Sequence, residues 1–225
     1  MALLLYAFAP VIVIIFYIYV KDKYEKEPKR IMLLCFLLGG IVSIIITTIL
    51  YMFFDLFLAL NNKYSVIEQF VRAFFIVAFT EEFSKYVIVR YYAQPRRDFN
   101  EKFDGIVYAV MVSMGFAAVE NIFYVAEGGA QTALLRAFTA VPAHATFGIL
   151  MGYFMGMAKF SKNRAKLNLL GLLLAIIFHG AYDFFLFINF IPGISIGAFA
   201  SLIIGIVLSR KAIKRHQVNS KFNIK

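Results

Sequence analysis

The sequence predicts an all-α fold, a polytopic membrane bundle of about seven transmembrane helices in a single membrane domain. Composition is the first observation behind this prediction. Apolar residues make up 62% of the 225 residues, and the mean hydropathy of +0.78 lies well above that of soluble domains. The second observation is that the apolar residues form long runs separated by short charged stretches, so segments of membrane-spanning length take up nearly the whole chain.

Seven apolar runs account for the predicted helices in chain order. They lie at residues 2–20, 31–59, 66–92, 104–126, 132–158, 167–190 and 194–209. Most are long enough to cross a hydrocarbon layer of about 30 Å, and the longer ones are expected to tilt. The first run has no small-residue cleavage site, so we expect it to stay attached rather than to be removed as a signal peptide. Residues 1–209 are expected to form the membrane domain, and residues 210–225 a basic cytoplasmic tail.

Lysine and arginine are distributed unevenly between the connections. They cluster after the first, third and fifth runs and in the tail from Arg210, whereas the other three connections contain only Lys63. Because basic residues stay on the cytoplasmic side, this alternation predicts an N-terminus outside and a C-terminus in the cytoplasm of a multi-pass plasma-membrane protein. Topology and contact with membrane lipids therefore explain the formal charge of +10, and no nucleic-acid partner is expected.

Ionisable side chains inside the predicted helices mark the candidate site. On insertion scales a charged residue at the centre of a membrane helix costs about 2.5–3.5 kcal/mol, so such residues are expected to face one polar interior. Counting at about 1.5 Å per residue places one of them from each of four helices near mid-bilayer, where they can meet. The candidate catalytic residues are Glu81, Glu82, Glu120, His144, His179 and Asp183, with Lys85 and Asn121 in supporting positions.

The spacing of these residues suggests how they share the chemistry. Glu81 and Lys85 lie four residues apart with the acid first, which predicts an ion pair, while Glu82 is turned about 100° away. Two carboxylates in different environments have different proton affinities and can take different tasks. His179 and Asp183 repeat the four-residue spacing, so the carboxylate can orient the imidazole. Such a set can hold and deprotonate a water molecule.

Other features have structural explanations. An isolated intramembrane histidine or asparagine is often an interhelical hydrogen-bond donor or acceptor and nothing more. Gly148, Gly152 and Gly156 recur every four residues and predict a helix-packing face. Four charged residues near outer helix ends are assigned snorkelling or local pairing rather than chemistry: Asp55, Glu68, Arg72 and Arg136.

Three motifs make the set recognisable. Glu81 begins an E-E-x-x-K motif, Glu120 ends an F-x-x-x-E motif, and His179 begins an H-x-x-x-D motif. In this order they resemble the PrsW family of bacterial membrane proteases. The resemblance extends to K-D-x-Y-x-x-E-P at residues 21–28, to D-G-I-V-Y at residues 104–108 and to a P-x-H motif that ends at His144.

The PrsW family is similar to a larger group of membrane endopeptidases that includes the CAAX prenyl-protein protease. The corresponding motifs of that group are E-E-x-x-x-R, F-x-x-x-H and H-x-x-x-N. This sequence departs from them, because Glu120 stands where histidine is usual and Asp183 where asparagine is usual. The water-binding geometry of that wider group therefore cannot be transferred to this chain.

The resemblance implies a glutamate-dependent endopeptidase that needs no cofactor. The implied substrate is a single-span membrane protein, an anti-sigma factor, cut on its extracytoplasmic side as the first step of regulated proteolysis. In the mechanistic hypothesis, Glu81 or Glu82 is the general base, Glu120 and His144 help to hold the water, and His179 stabilises the oxyanion.

Three alternatives stay open at the level of residues. Two histidines and several glutamates could bind zinc as a metal-dependent peptidase does, although no H-E-x-x-H pair is present. A proton-coupled transporter would also place ionisable residues inside the membrane. A scaffold for single-span partners would use the same polar cluster only to hold its helices together. The order of the motifs favours the protease.

Overall fold

The computed structural model describes residues 2–223, and this part of the chain is helical without strands. Nine α-helices lie within it: α1 (Ala2–Lys21), α2 (Lys29–Leu38), α3 (Ile44–Phe57), α4 (Val66–Val71), α5 (Phe79–Ile88), α6 (Phe103–Phe138), α7 (Ala140–Lys159), α8 (Arg164–Phe187) and α9 (Ile196–Val218). Three π-helical turns continue them, Gly39–Ser43 between α2 and α3, Arg72–Ala78 between α4 and α5, and Val89–Ala93 after α5. The predicted all-α class is confirmed.

Five helical segments of the described chain are long and apolar enough to cross a membrane: Leu4–Lys21, Lys29–Phe57, Phe103–Lys159, Arg164–Phe187 and Ile196–Val218. The predicted third run is not among them, because charged residues, among them Glu81, Glu82 and Lys85, interrupt its apolar stretch. The predicted fourth and fifth runs fall within one segment of 57 residues. The count of seven spans and the orientation of the termini stay predictions.

Helix α6 is broken rather than continuous. Gly129 has φ 66° and ψ −157°, a conformation that glycine adopts without the steric penalty of a side chain. Arg136 and Glu120, 16 residues apart, touch across the break, whereas in a straight helix they would be about 24 Å apart along the axis. The second part of α6 therefore folds back along the first.

The first part of α6 forms the centre of the bundle. Every residue from 103 to 118 is buried, and α1, α2 and α7 pack around it. Glycines allow the closest approach: a Cβ atom on Gly152 would lie only 2.3 Å from the carbonyl oxygen of Gly105. The α7 glycines are thus a packing face, as predicted.

The end of α9 packs on the body of the protein. The helix continues past residue 209 to Val218, and Ala212, Ile213 and His216 are buried. The side chain of Gln217 donates to the carbonyl oxygen of Lys21 at the end of α1. Residues 210–218 of the predicted basic tail are therefore helical and packed on the bundle.

Substitution of Gly152 by valine tests the packing face. We expect Gly152→Val to destabilise the fold by about 1–3 kcal/mol, because the added side chain meets backbone that cannot move aside. The measurement is Tm in one detergent. Ile203→Val, on an exposed face of α9, is the matched control and should leave Tm nearly unchanged. A Gly152→Val variant as stable as this control would contradict the close packing of α6 and α7.

Candidate active site

The glutamate pair lies near the beginning of α5 and is buried, with Glu81 5% and Glu82 0% exposed. The Nζ atom of Lys85 donates to Glu82 Oε1 at 2.7 Å and to Glu81 Oε2 at 3.4 Å. The predicted ion pair between Glu81 and Lys85 is present, and Glu82 is the nearer partner of the ammonium group. Positions three and four residues apart both lie on one helix face, and Glu81 has a second donor, because the Tyr51 hydroxyl lies 3.0 Å from its Oε1.

The ammonium group of Lys85 is enclosed on its other sides as well. Its Nζ atom lies 4.1 Å from the ring centroid of Phe116, the first residue of the F-x-x-x-E motif. It also lies 3.3 Å from His144 Nδ1. A cation over an aromatic face is attracted by the electron-rich ring, so Phe116 contributes to holding this charge in an apolar bundle.

His179 of α8 connects the glutamate pair to Asp183. Its Nδ1 atom lies 2.9 Å from Glu82 Oε1, and its Nε2 atom lies 3.2 Å from Asp183 Oδ2. The ring of Phe147 stacks on the imidazole with centroids 4.8 Å apart. The predicted contact between His179 and Asp183 is present, and both ring nitrogens have carboxylate partners.

Glu120 and His144 form the other side of the cluster. His144 Nε2 lies 2.7 Å from Glu120 Oε2, and the same oxygen accepts a 2.7 Å hydrogen bond from Arg136. Arg136 was expected only to snorkel or to pair locally near an outer helix end, and the structure places it in contact with Glu120. The break lies in the connection predicted between the fourth and fifth runs, where Gly128 and Gly129 are adjacent.

Asn121 supports Arg136 rather than the glutamate pair. Its Oδ1 atom accepts a 2.6 Å hydrogen bond from Arg136 Nε, and its Nδ2 atom donates to the carbonyl oxygen of Ala7 at 3.0 Å. Asn121 therefore ties the folded-back part of α6 to α1. Two further polar contacts that sequence reasoning missed are the Tyr51 contact with Glu81 and the 3.0 Å hydrogen bond from Thr47 to Ser84.

A cavity of about 1400 Å³ reaches this cluster. The predicted site residues on its wall are Glu81, Glu120, His144, His179 and Asp183, whereas Glu82 lies behind them. Residues 58–64 and 186–190 line the same cavity, so it extends from the buried charges to the connections before α4 and after α8. The topology prediction places both connections outside the cell.

The fold and this site define a multi-pass membrane protein with a buried acid–base centre that is open to a large cavity. A family model described as "PrsW family intramembrane metalloprotease" matches residues 27–209, and the chain belongs to this family. The predicted resemblance is confirmed.

Curated relatives support the same assignment. The chain is 39% identical to a protein named Protease PrsW from Oceanobacillus iheyensis, over 79% of this chain and 80% of the relative. It is 37% identical to Protease PrsW from Bacillus subtilis, over 79% of each chain. It is 34% identical to Protease PrsW from Clostridioides difficile, over 84% of this chain and 80% of the relative. No solved structure matches the chain. The protein is a bacterial multi-pass membrane protease.

The family description names a metal, and one group of side chains could be considered for it. Ligand atoms of Glu81, Glu82 and His144 lie within 4.8 Å of one another. However, Lys85 Nζ contacts all three residues at 2.7–3.4 Å. A divalent ion beside this ammonium would be repelled, and Lys85 already supplies positive charge to both carboxylates. In this arrangement the residues do not fit a metal.

Substitution of Arg136 tests the outer part of the cluster. We expect Arg136→Gln to lower the stability by about 1–3 kcal/mol, because the partly buried Glu120 loses a charged hydrogen-bond donor. Arg136→Lys keeps the charge and should retain part of that stability. Tm in a single detergent is the measurement. If Arg136→Gln melts like the wild type, the fold-back at Gly129 does not bring Arg136 to Glu120 in the membrane protein.

Proposed function

We propose that this protease is a glutamate-dependent intramembrane endopeptidase, and that it cleaves a single-span membrane protein such as an anti-sigma factor. The observation that carries the proposal is the unequal placement of two adjacent glutamates. Glu81 lies on the wall of the cavity, whereas Glu82 lies behind it in contact with Lys85 and His179. Two carboxylates in different surroundings can perform different tasks.

Glu81 is the general base in this proposal. It lies on the cavity wall, where a water molecule can reach it, and Lys85 and Tyr51 fix its carboxylate from two sides. The base accepts a proton as the water oxygen attacks the scissile carbonyl carbon. The same carboxyl group then returns the proton to the leaving amine nitrogen as the carbon–nitrogen bond breaks. No redox step or further reactant is required.

Glu82 is a positioning residue. Its Oε1 atom lies 2.7 Å from Lys85 Nζ and 2.9 Å from His179 Nδ1, so one oxygen holds both groups in place. Glu82 fixes the imidazole of His179 at Nδ1, and in this proposal Nε2 donates to the oxyanion by exchanging its Asp183 partner for the substrate oxygen as the negative charge develops. Asp183 holds the imidazole from the other end.

Glu120 and His144 are positioning residues in this proposal. The ring of His144 is fixed at both nitrogens, by Glu120 at Nε2 and by Lys85 at Nδ1. The earlier hypothesis that Glu120 holds the water is less well supported, because Arg136 and His144 share its Oε2 atom. We therefore propose that Glu120 positions His144 and that Glu81 binds the water molecule.

The size and position of the cavity support a peptide substrate. A space of about 1400 Å³ is larger than the ordinary range for small-molecule sites of roughly 300–1,000 Å³. It reaches the connections that are predicted to lie outside the cell, which suits a cut on the extracytoplasmic side. The anti-sigma factor itself comes from the family resemblance.

Substitutions of the two glutamates and of His179 test the mechanism. We expect Glu81→Gln to reduce cleavage of a tagged single-span anti-sigma factor by at least about 100-fold, because an amide cannot accept the proton. Glu82→Ala and His179→Ala should also abolish cleavage. The assay uses co-expression at matched protein levels and monodispersity.

Glu127→Gln is the matched control, because it makes the same change at an exposed position of α6. It should cleave like the wild type. Full activity of Glu81→Gln would exclude Glu81 as the base. If the wild type also fails to cleave the anti-sigma factor, the proposed substrate is wrong.

A zinc-dependent mechanism is the alternative to the glutamate mechanism. One observation favours it, because ligand atoms of Glu81, Glu82 and His144 lie close to one another. The glutamate mechanism predicts that zinc chelators leave cleavage unchanged and that elemental analysis of the purified protein finds no stoichiometric zinc. Loss of cleavage on chelation, restored by one zinc ion per chain, would replace the glutamate mechanism with a metal-dependent one.

A further inference from the structure

A second cavity lies at the beginning of α2 and shares no wall residue with the large cavity. Its volume is about 370 Å³, and α2 begins a segment long and apolar enough to cross a membrane, Lys29–Phe57. Part of the wall comes from the beginning of α2 and the rest from the connection before α6. We call this cavity the interfacial pocket, and its wall residues are Pro28, Arg30, Ile31, Leu34, Arg96 and Asp98.

Two guanidinium groups on the wall of the interfacial pocket lack an acidic partner. In residues 2–223, no carboxylate oxygen lies within 4.0 Å of a side-chain nitrogen of Arg30 or Arg96. The Nε atom of Arg96 is buried, and within the same residues it has no hydrogen-bond partner. Burial of an unused charged donor is costly, because arginine cannot lose its proton. The pocket therefore offers positive charge and a free donor to an anion.

Arg96 is held in place from several sides. Its guanidinium carbon lies 4.1 Å from the ring centroid of Tyr92. Its carbonyl oxygen accepts a 2.9 Å hydrogen bond from Lys159 Nζ, and its backbone amide donates to the carbonyl oxygen of Ala93 at 3.1 Å. A side chain that is already ordered loses little conformational entropy when a ligand binds. Arg96 is therefore a preorganised cation rather than a freely moving surface arginine.

The beginning of α2 lacks the anion that helix beginnings favour. Pro28 is the N-cap residue and forms no side-chain hydrogen bond, and the first turn contains no acidic residue. Instead, Lys29 and Arg30 place two positive charges at the positive end of the helix dipole. Aspartate, serine or glutamate usually stabilises this end of a helix. An anion bound in the interfacial pocket would supply the missing negative charge.

We propose that the interfacial pocket binds the phosphate group of an anionic phospholipid. Phosphate accepts paired hydrogen bonds from guanidinium groups, so two arginines on one wall suit it. Ile31 and Leu34, about one helical turn apart, line the same pocket. The apolar wall thus continues from the arginines along α2, where an acyl chain of the lipid can lie. Basic pockets at membrane helix ends are typical sites for such head groups.

The simplest competing explanation is that these arginines only set the topology of the protein. Basic residues on the cytoplasmic side have that effect wherever they stand in a connection. Topology therefore gives Arg96 and its neighbour Arg97 the same importance. Lipid binding does not, because Arg97 is exposed and lies outside the pocket. Arg97→Gln is accordingly the matched control for Arg96→Gln.

The first test measures Tm of the purified full chain in detergent micelles that contain dioleoylphosphatidylglycerol or the zwitterionic dioleoylphosphatidylcholine. A ligand of the folded state raises Tm. We expect phosphatidylglycerol to raise Tm of the wild type and of Arg97→Gln by several degrees over phosphatidylcholine. Arg96→Gln and Arg30→Gln should lose most of this shift. The same Tm of the wild type in both lipids, or an equal loss of the shift in Arg97→Gln, would overturn the proposal.

Asp98 distinguishes a lipid site from an internal ion pair. A carboxylate on the wall repels phosphate, so we expect Asp98→Asn to bind phosphatidylglycerol several-fold more tightly and to keep its Tm in phosphatidylcholine. If Asp98 is the real partner of the arginines, Asp98→Asn should lower Tm in phosphatidylcholine as much as Arg96→Gln does. Phosphatidylglycerol would then not stabilise the wild type. This pair of results would contradict lipid binding.

Native mass spectrometry measures the bound lipid independently. We expect Arg96→Gln to bind phosphatidylglycerol at least about tenfold more weakly than the wild type, because it loses a charged hydrogen-bond donor. Arg97→Gln should bind like the wild type. Inorganic phosphate and glycerol 1-phosphate should neither displace the lipid nor raise Tm. If either one reproduces the shift, the ligand is a soluble phosphate and the lipid proposal is wrong. Neither readout requires proteolysis, so the outcome is independent of the proposed function.

Discussion

A single ammonium group, buried inside an apolar bundle, organises the candidate active site. Lys85 contacts Glu81, Glu82 and His144, and its charge lies over the ring of Phe116. Without this cation the two adjacent carboxyl groups would be buried with no positively charged side chain between them, which is strongly unfavourable. The surrounding contacts follow from that requirement, since each group that touches Lys85 is fixed in turn by another helix.

Much of this arrangement follows from the sequence because the membrane imposes strong constraints. Apolar runs predict helices, since backbone groups in hydrocarbon must be satisfied within a segment. Ionisable residues in those runs predict a common interior, since lipid exposure is costly. Glu81, Glu120, His144 and His179 were therefore expected to meet, and they do. The small-residue stripe of α7 was likewise expected to be a packing face, because its spacing directly reports a helix surface.

The features that sequence reasoning missed depend on backbone geometry or on long side chains. Arg136 reaches Glu120 only because one glycine has a positive φ, which no periodicity reports. The partner of Lys85 could not be chosen from spacing, because positions three and four residues apart are equivalent neighbours on a helix. In the sequence, Tyr51 looks like a tyrosine at the membrane interface, whereas in the structure its hydroxyl contacts Glu81. The π-helical turns around α5 shift the register without a distinct local signal.

Because α6 breaks at Gly129, the positive charge of Arg136 lies beside Glu120 only while the second part of α6 is folded back on the first. Arg136 is held near Glu120 by two hydrogen bonds and by stacking over Tyr124, and no covalent constraint keeps the folded-back helix in place. Undocking of that helix would remove the Arg136 partner of Glu120, and so leave the cavity wall more negative, without moving the residues proposed to be catalytic. The charge that an incoming peptide meets is therefore set by the conformation of a connection, and sequence changes in that connection can adjust peptide preference without altering the catalytic residues.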